Sequence, residues 1–391
     1  MADQISQYYQ ELASQPDLYE LGLLNATEEP IPRHARLIRD ELVAPLRQAA
    51  FDGKAAKTAK AARPMRSFYG FYTPLPSVLS GCKVLLLGCG TGRDAFIASK
   101  LVGAHGSVLA VDTDAANIKT ARSYSQEQME LFGRKHANIQ FSCGYPEDMA
   151  SFDAKDRSFD VVLLNYSFNL ALDKKRVISE VWRVLRFGGE LYLGALFANC
   201  RMSTTYLNDH QVRNRVVRGA VYLEDFRRWL RAAGWESFRY MEKRRVVIQD
   251  KHQAKELEGV DLTFRVIRAF KLDNLEDLCE NYGQSAEYLG TMPGFNQFFD
   301  LDDKHRFYVD KPIRVCGNTC ALVENTRFAQ HFRIQGNRQN RHFGLYTYCP
   351  YCGFGKDEDD IIEYLEEGKE VCTDCSHKAF CTVDGHCQHE G

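Results

Sequence analysis

Val84-Leu85-Leu86-Leu87-Gly88-Cys89-Gly90-Thr91-Gly92-Arg93-Asp94 sets an apolar run of strand length against a glycine-rich turn, and Asp112 follows twenty residues after Gly92. Glycine has no Cβ, so such a turn bends tightly and lets a ligand come up against the backbone. A strand, this turn and then a helix would put that ligand at the carboxyl edge of a parallel sheet. The spacing is G-x-G-x-G, not the G-x-G-x-x-G of dinucleotide binders. No basic residue stands among the glycines to hold a phosphate, as a P-loop lysine would.

Outward from this stretch, residues 80–195 alternate strand and helix patterns. Strands are expected at 84–87, 108–111, 139–141, 159–164 and from 190 to 193, with helices at 94–102, 115–132 and 174–185. Continuous apolar strands interleaved with helices predict a buried parallel sheet. A helix at 222–233 and a strand at 246–248 would complete the layer. The expected fold class is α/β: a Rossmann-like core over 64–250, preceded by a helical segment over 1–63. A smaller α+β domain would cover 251–345, opening with a strand at 262–270 that leads through a helix to Tyr282. A cysteine-rich tail, 346–391, closes the chain.

At 391 residues the chain exceeds one ordinary core. A net charge of −2 gives no electrostatic reason to expect nucleic acid or an anionic membrane surface as partner. No apolar stretch reaches bilayer-crossing length, and residues 1–17 lack the basic flank and apolar centre of a signal peptide. The expectation is a cytoplasmic monomer acting on a small-molecule acceptor. The stripe Lys54, Lys57, Lys60 and Arg63 reads as a solvated helix face.

The glycine turn resembles motif I of class I S-adenosylmethionine-dependent methyltransferases. That resemblance implies a role for Gly88, Cys89, Gly90 and Gly92 around the amino-acid half of the cofactor. It puts Asp112, with Thr113 beside it, at the ribose, where a carboxylate accepts two hydrogen bonds from a diol. Glu147, in Gly144-Tyr145-Pro146-Glu147-Asp148, would lie against the adenine, and Asn165 beside the reactive methyl. Taken one at a time, Asp112 also suits a helix N-cap, Glu147 a solvated loop, and Cys89 a purely structural place.

Several segments are similar to those of arsenite methyltransferases. They include Tyr8-Tyr9, Phe68-Tyr69-Gly70-Phe71, the glycine turn through Gly103, and Asn165 with Asn169-Leu170. Gly219-Ala220-Val221-Tyr222-Leu223-Glu224-Asp225-Phe226, Tyr282 to Gly290, and Val315-Cys316-Gly317-Asn318-Thr319 extend the likeness across residues 5–350. Members of that family bind trivalent arsenic through thiolates and methylate it; soft sulfur suits a soft, pyramidal centre. Here the expected thiols are missing. No cysteine precedes Cys82, and Phe71, Tyr166, Phe168 and Val216 stand where the family pattern has cysteine. If those side chains face the methyl, they make an apolar, aromatic-lined pocket for an organic acceptor; alternatively they only fill a disused site. Tyr69 and Asn165 would border the methyl, and Tyr166, Asn169, Tyr222 and Glu224 are candidates to touch the acceptor. Tyr166 or Glu224 would serve as base for an amine or hydroxyl.

Six of the 13 cysteines fall in the last 43 residues. Cys349, Cys352, Cys372 and Cys375 form C-x2-C-x19-C-x2-C, the spacing of a four-thiolate structural zinc site. Capture of arsenite by the same thiols is the alternative. Cys381, Cys387, His377, His386 and His389 offer further ligands, whereas Cys316 and Cys320 read as core thiols. Three functions stay open at this point: arsenite methylation through tail thiols, methylation of an organic thiol, selenol or amine, and a non-catalytic binding protein acting through its tail.

Overall fold

A computed structural model describes residues 4–5, 7, 74–76, 78–134, 136–203, 215–246, 248, 254–255, 257–339 and 341–346. Tyr69, Phe71, most of the 1–63 segment and the tail cysteines lie outside the described residues. The chain divides into two compact units, Met1–Leu272 and Asp273–Gly391.

In the first unit, β1 (Lys83–Leu87), β2 (Ser107–Asp112), β3 (Ile139–Cys143), β4 (Phe159–Asn165) and β5 (Leu185–Ala198) run parallel in the order β3-β2-β1-β4-β5. Val84 to Leu87 and Val161 to Leu164 are buried throughout, as strands covered on both faces must be. Helices α1 (Arg93–Val102), α2 (Ala115–Leu131), α3 (Ser167–Leu170) and α4 (Lys174–Val184) follow β1, β2 and β4. α2 and α4 each start at a built cap: Asp114 accepts from the Ala116 amide at 2.8 Å and Asp173 from the Arg176 amide at 3.0 Å. The N-cap is therefore Asp114, which leaves Asp112 on the strand end. The short α5 (Arg215–Arg218), β6 (Val221–Tyr222) and α6 (Leu223–Ala233) come next, with β6 pairing the end of β5.

Two strands extend the sheet beyond β5. β7 (Arg239–Val246) and β8 (Leu262–Phe270) complete the order β3-β2-β1-β4-β5-β8-β7, with β8 antiparallel to both neighbours. Three expectations change here. The 246–248 strand lies earlier, over 239–246. β5 begins at Leu185, not 190, across a register shift between Phe159 and Val161. The 262–270 strand belongs to this sheet, pairing β5 from Glu190↔Phe270 to Ala198↔Leu262, and not to a second domain.

In the second unit, β9 (Ser285–Tyr288) pairs antiparallel with β12 (Ile313–Arg314) and β13 (Phe332–Gln335). β10 (Phe298–Asp300) and β11 (Arg306–Tyr308) form a hairpin, and α7 (Gly317–Glu324) packs beside β13 and β9. Tyr288, Phe299, Phe307, Phe328 and Phe332 make its ring-rich core. No helix forms over 271–281, against the helix expected between the 262–270 strand and Tyr282. The Asn318 side chain takes the polar groups a helix turn would use: it donates to the Glu276 and Leu278 carbonyls and accepts from the Glu276 amide at 2.8 Å.

Candidate functional site

The three glycines of the turn sit at positive φ for different reasons. A Cβ on Gly88 (φ +79°) would lie 2.4 Å from Ser167 Cβ, and one on Gly92 (φ +101°) 2.9 Å from the Phe96 ring and 3.1 Å from Ala121 Cβ. Both make room for the protein's own packing. A Cβ on Gly90 (φ +54°) would meet nothing within 4 Å among the described residues. Of the three, only Gly90 presents bare backbone to open space.

Asp112 underpins that space. Its Oδ2 accepts from the Gly90 amide at 2.7 Å, and its Oδ1 from the Asp114 amide at 3.0 Å and Asn117 Nδ2 at 3.1 Å. Burial pushes its carboxyl above the usual range, against the pull of those three bonds. A carboxylate offers about four acceptor positions. With three filled, room remains for one further donor, not the two of a ribose diol. Cys89 is buried with its thiol against the Gly90 carbonyl at 3.6 Å; burial, then the charge of Asp112, pushes it well up, so it is an inert structural thiol. Thr113 contributes its carbonyl, which accepts from the Cys143 thiol at 3.7 Å.

Asn165 ends β4 beside the turn, since β1 and β4 pair in register up to Leu87↔Leu164. Its Nδ2 donates to Asp94 Oδ2 at 3.1 Å, and Arg93 holds the other Asp94 oxygen at 2.7 and 2.9 Å. Asn165 Oδ1 is buried and has no hydrogen-bond partner among the described residues. A shielded acceptor lacking a donor is costly, about 1–3 kcal/mol, and an incoming ammonium would satisfy it.

The remaining expected residues have other work. Glu147 is fully buried and accepts from the Leu172 and Asp173 amides at 2.8 and 3.2 Å, bracing the entry to α4. Tyr166 holds φ +60° and stacks on Phe264 with centroids 5.1 Å apart; Phe168 packs edge-on to Phe226 at 5.6 Å; Val216 is buried. The expected aromatic lining of an acceptor pocket is therefore not formed by these side chains, because the adjacent aromatic core of β8 and α6 draws them inward. Asn169 is saturated: Nδ2 donates to the Leu196 and Gly219 carbonyls at 2.9 and 3.1 Å, and Oδ1 accepts from the Leu196 amide at 2.9 Å. It ties α3 to the end of β5 and does not reach for an acceptor. Glu224 pairs with Arg227 at 3.1 Å, and the Tyr222 ring lies under Arg201, which Asp225 grips with two bonds of 2.6 Å. Asp94, Asn117 and Ser167 escaped sequence reading. Asp94 alone carried a signal, as the acid directly after the third glycine and Arg93.

The methyltransferase-domain family model matches residues 79–234, and the arsenite methyltransferase C-terminal domain model matches residues 283–387. An arsenite methyltransferase from Aquipseudomonas alcaligenes is 40% identical over 282 residues, 72% of this chain and 81% of its own. The chain belongs to the arsenite methyltransferase family. The human arsenite methyltransferase is 27% identical over 331 residues, 84% of this chain and 82% of that protein. The crystal structure of an arsenic(III) S-adenosylmethionine methyltransferase from Chlamydomonas reinhardtii is 33% identical, with a TM-score of 0.71, covering 81% of this chain and all of that one. The protein is thus an S-adenosylmethionine-dependent methyltransferase with the class I fold.

The described residues fit that cofactor. Gly90 leaves a cradle that a side chain would fill, Asn165 Oδ1 lacks a donor, and Asp112 retains one acceptor position. Among the described residues no group of three or more His, Cys, Asp or Glu side chains is arranged for a metal ion. None of their helices is long and apolar enough to cross a membrane.

Proposed function

We propose that this arsenite methyltransferase family member transfers a methyl group to a soft, lone-pair-bearing acceptor, trivalent arsenic presented as a thiolate. The observation that carries this choice is the state of the base candidates. Tyr166 is stacked in the core, Asn169 is saturated, and Glu224 is held by Arg227. An amine or hydroxyl acceptor must lose a proton to react; an arsenic(III) lone pair loses none. The bound cofactor supplies an electrophilic methyl on a sulfonium centre.

Gly90 and Asn165 are proposed to seat the amino-acid end, and Asp112 to hold one ribose hydroxyl. Positioning then does most of the work, because in-line displacement needs an acceptor about 3–3.5 Å from the reacting carbon. Since Phe71, Tyr166, Phe168 and Val216 supply no thiolate, the acceptor is proposed to arrive already complexed by a small thiol. Tyr69, by the family resemblance, is proposed to border the methyl. The tail quartet Cys349, Cys352, Cys372 and Cys375 is proposed to bind structural zinc on the strength of its spacing, in a monomeric cytoplasmic protein.

Purified protein given S-adenosylmethionine, arsenite and a small thiol should yield methylated arsenicals by mass spectrometry. Methyl transfer to thiols or amines alone, with none to arsenic, would overturn the choice of acceptor. Asn165→Leu should weaken cofactor binding about tenfold, the loss of one charge-assisted hydrogen bond.

A further inference from the structure

We propose that the second unit carries a dithiol site for trivalent arsenic built from Cys316, Cys320 and Gln284; it rests on the reading that arsenic(III) is what this protein handles. The sequence alone makes Cys316 and Cys320 ordinary core thiols. Their surroundings say more. Cys316 is the N-cap of α7, and its sulfur accepts from the Thr319 amide at 3.3 Å and lies 3.3 Å from Thr319 Oγ1. Cys320 follows one helical turn later, its amide donating to the Cys316 carbonyl at 2.9 Å. One turn separates the two residues, and the Cys316 thiol is close enough for its charge to act on Cys320. Cys279 and Tyr346 close around Cys316.

Gln284 supplies the independent observation. Its backbone is fixed by the bond from the Val315 amide at 3.0 Å, and its Nε2 lies 3.0 Å from Cys320 Sγ. The residue is 3% exposed, yet Oε1 has no hydrogen-bond partner among the described residues. Exchanging the amide oxygen and nitrogen would only move the vacancy to the other atom. A buried amide serving only to fill a core would have both ends matched; this one keeps an acceptor beside a pair of thiols.

Arsenous acid suits that arrangement. Condensation of As(OH)3 with two thiols breaks two As–O and two S–H bonds and forms two As–S bonds. Each thiol proton leaves with a hydroxide as water, and arsenic stays trivalent. The retained As–OH is a hydrogen-bond donor, the group Gln284 Oε1 lacks. Zinc would ask for four ligands, whereas two sulfurs and one hydroxide complete the pyramidal arsenic(III) sphere.

The test is equilibrium dialysis of the full chain against arsenite alone, with no methyl donor, read as arsenic per protein by elemental mass spectrometry. Cys316→Ser and Cys320→Ser should each remove one equivalent relative to the unsubstituted protein, while the tail cysteines contribute equally to all samples. Gln284→Leu should keep the stoichiometry and weaken the site about tenfold. Equal arsenic binding by both serine variants, shown folded by thermal melting, would overturn the site. Should either variant fail to fold, peptide mapping of the unsubstituted protein decides instead. Arsenite must shield Cys316 and Cys320 from maleimide during brief warming, and full labelling of both would refute the site. Methyl transfer is measured separately, so a retained site without turnover counts against the proposed function alone.

Discussion

Alanine at Gly88 and at Gly90 should fail in opposite ways. Each residue sits at positive φ, so each alanine pays for a left-handed backbone, roughly 1–2 kcal/mol. Gly90→Ala pays little more, because its Cβ meets nothing within 4 Å among the described residues. Gly88→Ala adds a Cβ 2.4 Å from Ser167 Cβ, well inside contact distance. Ser167 cannot easily retreat, since its Oγ donates to the Leu87 carbonyl at 2.7 Å and it opens α3. Overpacking of this kind costs a further 1–3 kcal/mol or so, giving about 2–5 kcal/mol in total. At roughly 2–4 °C per kcal/mol for a unit of this size, Gly90→Ala should melt a few degrees low and Gly88→Ala clearly lower. Cofactor affinity should invert the order. The Gly90 methyl occupies the cradle, so calorimetric titration with S-adenosylmethionine should show at least a tenfold loss, about 1.4 kcal/mol. Gly88→Ala, where it stays folded, should bind nearly as the parent does. Ser167→Gly placed in the Gly88→Ala background should recover the packing cost and appear as a coupling energy of about 0.5–3 kcal/mol. The assignment of separate duties is refuted if Gly90→Ala binds the cofactor at parental affinity, or if Gly88→Ala melts no lower than Gly90→Ala.

Three further outcomes follow from buried polar groups. Asn169→Ala strands the Leu196 amide and two carbonyls, so chemical denaturation should show a loss of about 2–4 kcal/mol; full stability would contradict its role as a tie. Arg268 Nε lies 2.6 Å from Glu190 Oε1 with both side chains buried, and either single truncation to Met should cost about 3–5 kcal/mol, while the double Met variant recovers most of it. Burial lowers Lys174 from 10.5 to about 8 while its Nζ donates to the Ala171 carbonyl. Between those values the unfolded chain holds a proton that the folded one has released, so stability should rise with pH across pH 8–10.5, by up to about 1.4 kcal/mol per unit. Lys174→Met should flatten that slope in urea melts at pH 7.5 and 9.5; an unchanged slope would show that Lys174 does not cause it.

The parallel half of the sheet was legible because burial on both faces leaves an unbroken apolar signature, as in Val84–Leu87 and Phe159–Leu164. β8 was equally visible as a strand, but its partner was not. A strand that returns antiparallel to β5 from more than sixty residues away carries no local mark of where it docks. The helix expected before Tyr282 fails for a related reason: the side chain that takes up the polar groups of this segment, Asn318, lies about forty positions on. In the site, the residue types that sequence singled out are those that also solve folding problems. A buried carboxylate bracing two amides and an asparagine bridging a strand end look, in one dimension, like ligand contacts, and Glu147 and Asn169 were read so. What separates a folding role from a binding one is whether the polar atom has been used. Asn165 Oδ1 and Gln284 Oε1 remain without a donor where Glu147 and Asn169 do not, and that distinction exists only once the neighbours are in place. The same accounting separates Gly90 from Gly88 and Gly92. All three share one spacing in the sequence, and the difference lies in what stands opposite each Cα among the described residues: Ser167, Phe96, or open space.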